Sequence, residues 1–197
     1  MSKENILNVV VVGTARSGKS EVFKGISPKP ALRLNDVSYV TFNVRFEKMP
    51  FITRVNAYIL PSDRKRENIR KEYYEKADVI FLIFNMNRRE TFEGLSAFID
   101  EIFSAKQKTP IALIGWIGLA EDIFEKHEVS MVEAQKFADR ISQKTGYHVP
   151  FIKIDISEKA KVVRLIEEIM TIIYGPSFKA VEKEEFEEKR RRGPIVL

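Results

Sequence analysis

Cysteine is absent from all 197 residues. That excludes disulfides, zinc thiolates, thiol nucleophiles and any lipid anchor on cysteine. No apolar run approaches the roughly 20 residues that a membrane-spanning helix needs. Met1 to Asn5 lead straight into an apolar stretch and carry no signal-peptide pattern, so the expected compartment is the cytoplasm. There is no internal repeat. Glycine is scarce in one place: none falls between Gly25 and Gly94. Lacking cysteine but rich in Lys and Glu, the composition leans toward that of thermophile proteins.

Charge is not of one sign. Lys and Arg number 33 against 28 Asp and Glu, a net +5. Two basic clusters stand out, Arg64-Lys65-Arg66 with Arg70-Lys71, and Lys189 to Arg192. Such runs are most often solvated helix faces, and no DNA- or RNA-binding motif accompanies them, so no specific nucleic-acid partner is expected. The length suits one domain with a full core.

The stretch that organises the chain is Val9-Val10-Val11-Val12 followed by Gly13-Thr14-Ala15-Arg16-Ser17-Gly18-Lys19-Ser20. It reads as a buried strand running into G-x-x-x-x-G-K-S, the phosphate-binding loop pattern. Gly13 and Gly18 permit a tight turn and a close approach to an anion. Successive N–H groups form a cradle for phosphate oxygens. Lys19 supplies a point charge for the outer phosphates, and the Ser20 hydroxyl is suited to ligate Mg²⁺. Val22, Phe23 and Ile26 give the following helix its apolar face. Arg16 is large for such a loop, and Glu21 is read as turned away from the phosphates to complement the helix N-terminus.

Elements then alternate. Strands are expected at 8–12, 41–46, 54–60, 79–84, 111–114 and 151–156, and helices at 19–26, 62–77, 90–105, 130–145 and 161–174. Residues 27–39 carry Pro28 and Pro30 and read as a loop. The second and third strands form a hairpin across Met49-Pro50. Ser130 and Glu133 make a capping box, and Gly146 stops that helix. The alternation implies an α/β fold, with a mostly parallel six-stranded sheet and helices on both faces. Residues 1–176 form the nucleotide-binding domain, and 177–197 a charged extension, helical or disordered.

This order resembles the Ras superfamily of small GTPases, the Rab branch most closely, and so implies the three-layer P-loop NTPase fold. Gly13 to Ser20 matches the family's phosphate loop. Thr41-Phe42-Asn43-Val44-Arg45-Phe46 resembles its T-I-G-V-D-F segment. Glu72-Tyr73-Tyr74, the strand 79–84, Glu90-Thr91-Phe92 and Phe98 resemble its central third, and Val129-Ser130 to Ala134 its V-S-x-x-E-A helix start.

The resemblance implies GTP or GDP bound with Mg²⁺. Gly13, Thr14, Ala15, Arg16, Ser17, Gly18, Lys19, Ser20 and Glu21 would surround the phosphates. Ser20 and Thr41 would ligate the metal. Trp116 and Ile156 would lie at the positions that face the base. A protein effector or regulator would meet the 27–41 loop and the 62–77 helix. Departures are equally specific. The D-x-x-G motif is lost; its place is Ile59-Leu60-Pro61-Ser62 or Pro61-Ser62-Asp63-Arg64, and the water-orienting glutamine is missing too. Trp116-Ile117-Gly118-Leu119 replaces the guanine-reading N-K-x-D, and Asp122 lies three residues beyond. Asp155-Ile156-Ser157 stands where S-A-K is expected.

Three functions follow. The first is a nucleotide switch with slow hydrolysis. The second is a pseudo-GTPase adaptor without turnover. The third is a P-loop ATP-using enzyme, disfavoured because no room remains for an arginine-rich lid. No residue stands out as catalytic.

Overall fold

The computed structural model describes residues 5–24, 31–34, 36–45, 52–105, 109–117, 128–155 and 162–169. Its centre is β1 (Asn5–Val12), flanked in parallel by β4 (Ile52–Ile59) and β5 (Val79–Asn85). Outward from β5 lie β6 (Ile111–Ile117) and β7 (Phe151–Asp155), both parallel to it. Outward from β4, the antiparallel β3 (Val37–Arg45) and β2 (Leu32–Leu34) complete the order β2-β3-β4-β1-β5-β6-β7. The sheet thus has seven strands rather than the six expected. The extra one, β2, is a short edge strand with all three residues exposed. It lacks the half-buried alternation by which a strand is recognised in sequence.

The valines of β1 divide the core. Val9 and Val11 point into one apolar cluster, and Val10 and Val12 into the other, as side chains alternate along a strand. Helix α1 (Lys19–Phe23) and helix α6 (162–169) cover the first face with Val22, Phe23, Val162, Leu165, Ile166 and Ile169. Helices α2 (Glu67–Lys76), α3 (Arg89–Glu93), α4 (Leu95–Ala105) and α5 (Met131–Thr145) cover the second. β5 and β6 are buried along their whole length, the pattern of parallel strands sandwiched between helix layers.

Two expected helices are interrupted. The 62–77 helix begins late: Pro61 to Asp63 is non-helical, Arg64–Arg66 is a 3₁₀ turn, and α2 starts at Glu67. The Asp63 side chain accepts from Lys65 N–H and so caps that turn. The 90–105 helix divides at Gly94 into α3 and α4. Helix α5 begins as expected, its Ser130 hydroxyl accepting from Glu133 N–H at 3.2 Å, and ends at Gly146. The 49–50 hairpin tip, Ile26, Asp122, Ile156 and the extension 177–197 lie outside the described residues.

Candidate functional site

The phosphate-loop sequence leaves the sheet where its strand order reverses. β1 has β4 on one side and β5 on the other, and Gly13 follows its last residue. Ligands of open α/β sheets bind at such switch points, beyond the carboxyl ends of the strands.

The two loop glycines are demanded by space. A Cβ on Gly13 would fall 2.2 Å from the Ile83 carbonyl oxygen. Gly18 has φ +87°, and a Cβ there would fall 2.2 Å from Trp116 Cδ1. Gly94 presses on the loop from the other side, where its own Cβ would meet Thr14 Cγ2 at 2.4 Å. Glycine is needed there for clearance, at the junction of α3 and α4. Arg16 takes φ +63° and is exposed, as are Ala15, Ser20 and Glu21. Glu21 pairs with Lys24 at 3.4 Å. The hydroxyls of Thr14 and Ser17 are buried in the loop with no hydrogen-bond partner among the described residues.

Lys19 is the electrostatic centre. Its ammonium donates to Gly13 O at 2.7 Å, Thr14 O at 2.8 Å and Ser62 Oγ at 2.7 Å. Burial, reinforced by the nearby Arg70 charge, lowers its pKa to about 8. Ser62 therefore stands at the mouth of the phosphate loop. Of the two registers open in the sequence, Ile59 ends β4 and Ser62 is the residue at the loop.

Arg70 is buried, although it belongs to a run read as a solvated basic face. Its Nε and one terminal nitrogen donate to the two oxygens of Glu101 at 2.8 and 2.6 Å. The other donates to Pro61 O at 3.1 Å and Asp63 O at 2.6 Å. Burial opposes the charge, but Glu101 outweighs it and holds the Arg70 pKa above its ordinary value. Its neighbours behave as expected: Arg64 and Lys65 are exposed, Arg66 pairs with Asp36 at 2.7 Å and Lys71 with Glu67 at 2.7 Å. No spacing in the sequence links residue 70 to residue 101, so this pair was not legible there.

Thr41 is not brought to the loop. It lies inside β3 with its hydroxyl donating to Asn56 Oδ1 at 3.2 Å, and Asn56 is in register with Asn8. Asn8 is five residues before Gly13, about 16 Å along the strand. The register of the hairpin thus sets Thr41 apart from Ser20 in this structure. Trp116, expected to face a base, lies in β6. It is 4% exposed and packs in the core against Gly18. Ile156 lies outside the described residues. Among those described, no group of three or more His, Cys, Asp or Glu is arranged to hold a metal.

Sheet order and loop together define a P-loop nucleotide-binding fold. The Ras family model matches residues 63–175, more than half of the chain. The chain belongs to the Ras family. It is also similar to the Ras-related protein RabZ of Dictyostelium discoideum, 24% identical over 181 residues that cover 86% of this chain and 73% of that protein. The family match begins beyond Ser20, so it and the phosphate loop rest on different residues. A nucleotide-binding domain of the small-GTPase type, Rab-like, is the class that both support.

Proposed function

We propose that the protein binds GTP and GDP through their phosphates and hydrolyses GTP slowly. The observation that carries this is Lys19, a lysine held over a glycine-lined loop by two of the loop's own carbonyls. Gly13 and Gly18 let the loop pack directly on the Ile83 carbonyl and the Trp116 ring behind it. The Thr14 and Ser17 hydroxyls, unpartnered among the described residues, give the loop spare hydrogen-bonding capacity. Mg²⁺ suits this arrangement if Ser20 is its one protein ligand, with phosphate oxygens and water filling the other positions. Mg²⁺ would neutralise phosphate charge; Lys19 and the loop amides would fix the phosphates in place. Ser62 and Asp63 stand where the family has a glycine and a water-orienting glutamine, and this supports slow hydrolysis.

The test is to denature the purified protein and separate any released nucleotide, then titrate the nucleotide-free protein with Mg²⁺ and GDP, GTP or ATP. Guanine nucleotide is expected, with weaker discrimination against adenine than a paired aspartate gives. Lys19→Ala should abolish uptake. A variant that binds as tightly as the parent would overturn the reading.

The adaptor reading gains from a row of half-buried rings. Tyr39, Tyr58 and Tyr73 join β3, β4 and α2 with centroids 6.3 and 5.2 Å apart. The row lies beside both segments expected to meet a protein partner. Cytoplasmic location belongs to the same proposal and is checked by fractionation.

A further inference from the structure

A lysine ammonium has three protons to donate, and each of Lys19's has a protein acceptor. Two acceptors are carbonyls of the loop itself and move only if the loop does. The third, Ser62 Oγ, rotates about a single bond on a segment outside the loop. A phosphate oxygen gains a proton of this ammonium most readily by displacing Ser62. We infer that Ser62 is an internal competitor for the phosphate's place on Lys19, and that the buried Arg70–Glu101 pair sets how strongly it competes. This deepens the proposed function and rests on its phosphate-binding reading.

Ser62 is itself held in place by Arg70. Arg70 grips the carbonyls on either side of it, those of Pro61 and Asp63. Glu101 fixes Arg70 by two charge-assisted bonds. Tyr74 Oη donates to the same carboxylate at 3.3 Å, and the guanidinium lies 5.2 Å from the Phe98 ring centre. Such bonds are short and geometrically specific. The Pro61–Asp63 backbone is thus pinned to α4 with the serine aimed at Lys19. Arg70 and Glu101 act through Ser62 and are positioning residues. When phosphate displaces the hydroxyl, the same anchor resists withdrawal of the segment. The gate therefore tunes affinity and entry rate together.

The experiment compares wild type, Ser62→Ala, Glu101→Gln and the double variant. Mg²⁺-GDP and inorganic pyrophosphate are titrated into nucleotide-free protein. Binding is followed by calorimetry and by the emission of the sole tryptophan, Trp116, which touches Gly18. Losing a hydrogen bond to a charged group corresponds to about ten- to a hundredfold in equilibrium. Ser62→Ala is expected to tighten both ligands by about tenfold or more. Glu101→Gln is expected to speed association and tighten binding less. In the double variant the Glu101 effect should vanish, because its target is gone. A general loosening of the fold would lower thermal stability without that non-additivity. Wild type and Ser62→Ala binding equally, or an additive double variant, would overturn the gate and leave the phosphate loop standing. If neither ligand binds folded wild type or Ser62→Ala, the phosphate-binding reading fails and the gate falls with it.

Discussion

The indole of Trp116 rests on Gly18, so closely that a Cβ there would lie 2.2 Å from Cδ1 and 2.6 Å from Nε1. The tryptophan is the second-last residue of β6, which is buried along its whole length, and backs the phosphate loop from the α1 side of the sheet. Gly18→Ala would place a Cβ at φ +87° and against that ring. Left-handed strain and overpacking together should cost about 2–4 kcal/mol. Thermal melts would show the loss, and a GDP titration should show weakened binding.

Truncating the ring tests its role from the other side. Trp116→Ala removes a buried aromatic and should cost about 3–5 kcal/mol. Trp116→Phe keeps most of the contact and should stay near the parent in both stability and nucleotide affinity. Selective loss of nucleotide binding in the phenylalanine variant, with stability unchanged, would make the indole a ligand contact instead of a support.

The Arg70–Glu101 pair makes a stability prediction of its own. The two side chains are 1% and 13% exposed. Arg70→Ala leaves a desolvated carboxylate and two backbone carbonyls without their donor, and should cost about 3–5 kcal/mol. Arg70→Met with Glu101→Leu removes both charges and should recover most of that loss. Chemical denaturation of the three proteins would decide it.

Turnover should be slow. Single-turnover hydrolysis is expected below the ~10⁻² s⁻¹ typical of relatives with a built-in arginine. The Asp63 carboxylate is engaged by Lys65 N–H at 2.9 Å, so Asp63→Ala should leave the rate unchanged. A large fall would show that this carboxylate orients water.

Acid should loosen the tie between α3 and α5. Arg89 donates to both oxygens of Glu133 at 2.9 Å and to Glu128 O at 2.8 Å. The hydrogen bond from Arg89 is the main cause holding the Glu133 pKa below its ordinary value. A depressed carboxylate contributes stability above its unfolded pKa and loses it as pH falls through the folded one. Glu133→Gln should therefore flatten the melting temperature against pH below about 4.5. The effect should be small, because the pair is solvated.

Local pattern by itself determined much of this protein. The valine run, the G-x-x-x-x-G-K-S loop, the Ser130–Glu133 cap and the buried strands are all short-range signals, and each appears where it was read. The α/β alternation and the family likeness follow from their order. Tertiary structure alone decided which distant residues meet. The hairpin register carried Thr41 away from the loop. Gly94, between α3 and α4, came to lie against Thr14. An arginine within a basic surface run turned inward to Glu101 and fixed Ser62 on Lys19. The physical reason is that periodicity reports which face of an element is buried, whereas register and the crossing of helices over strands select what lies opposite. A buried ion pair between residues 31 positions apart leaves no local trace in either partner's neighbourhood.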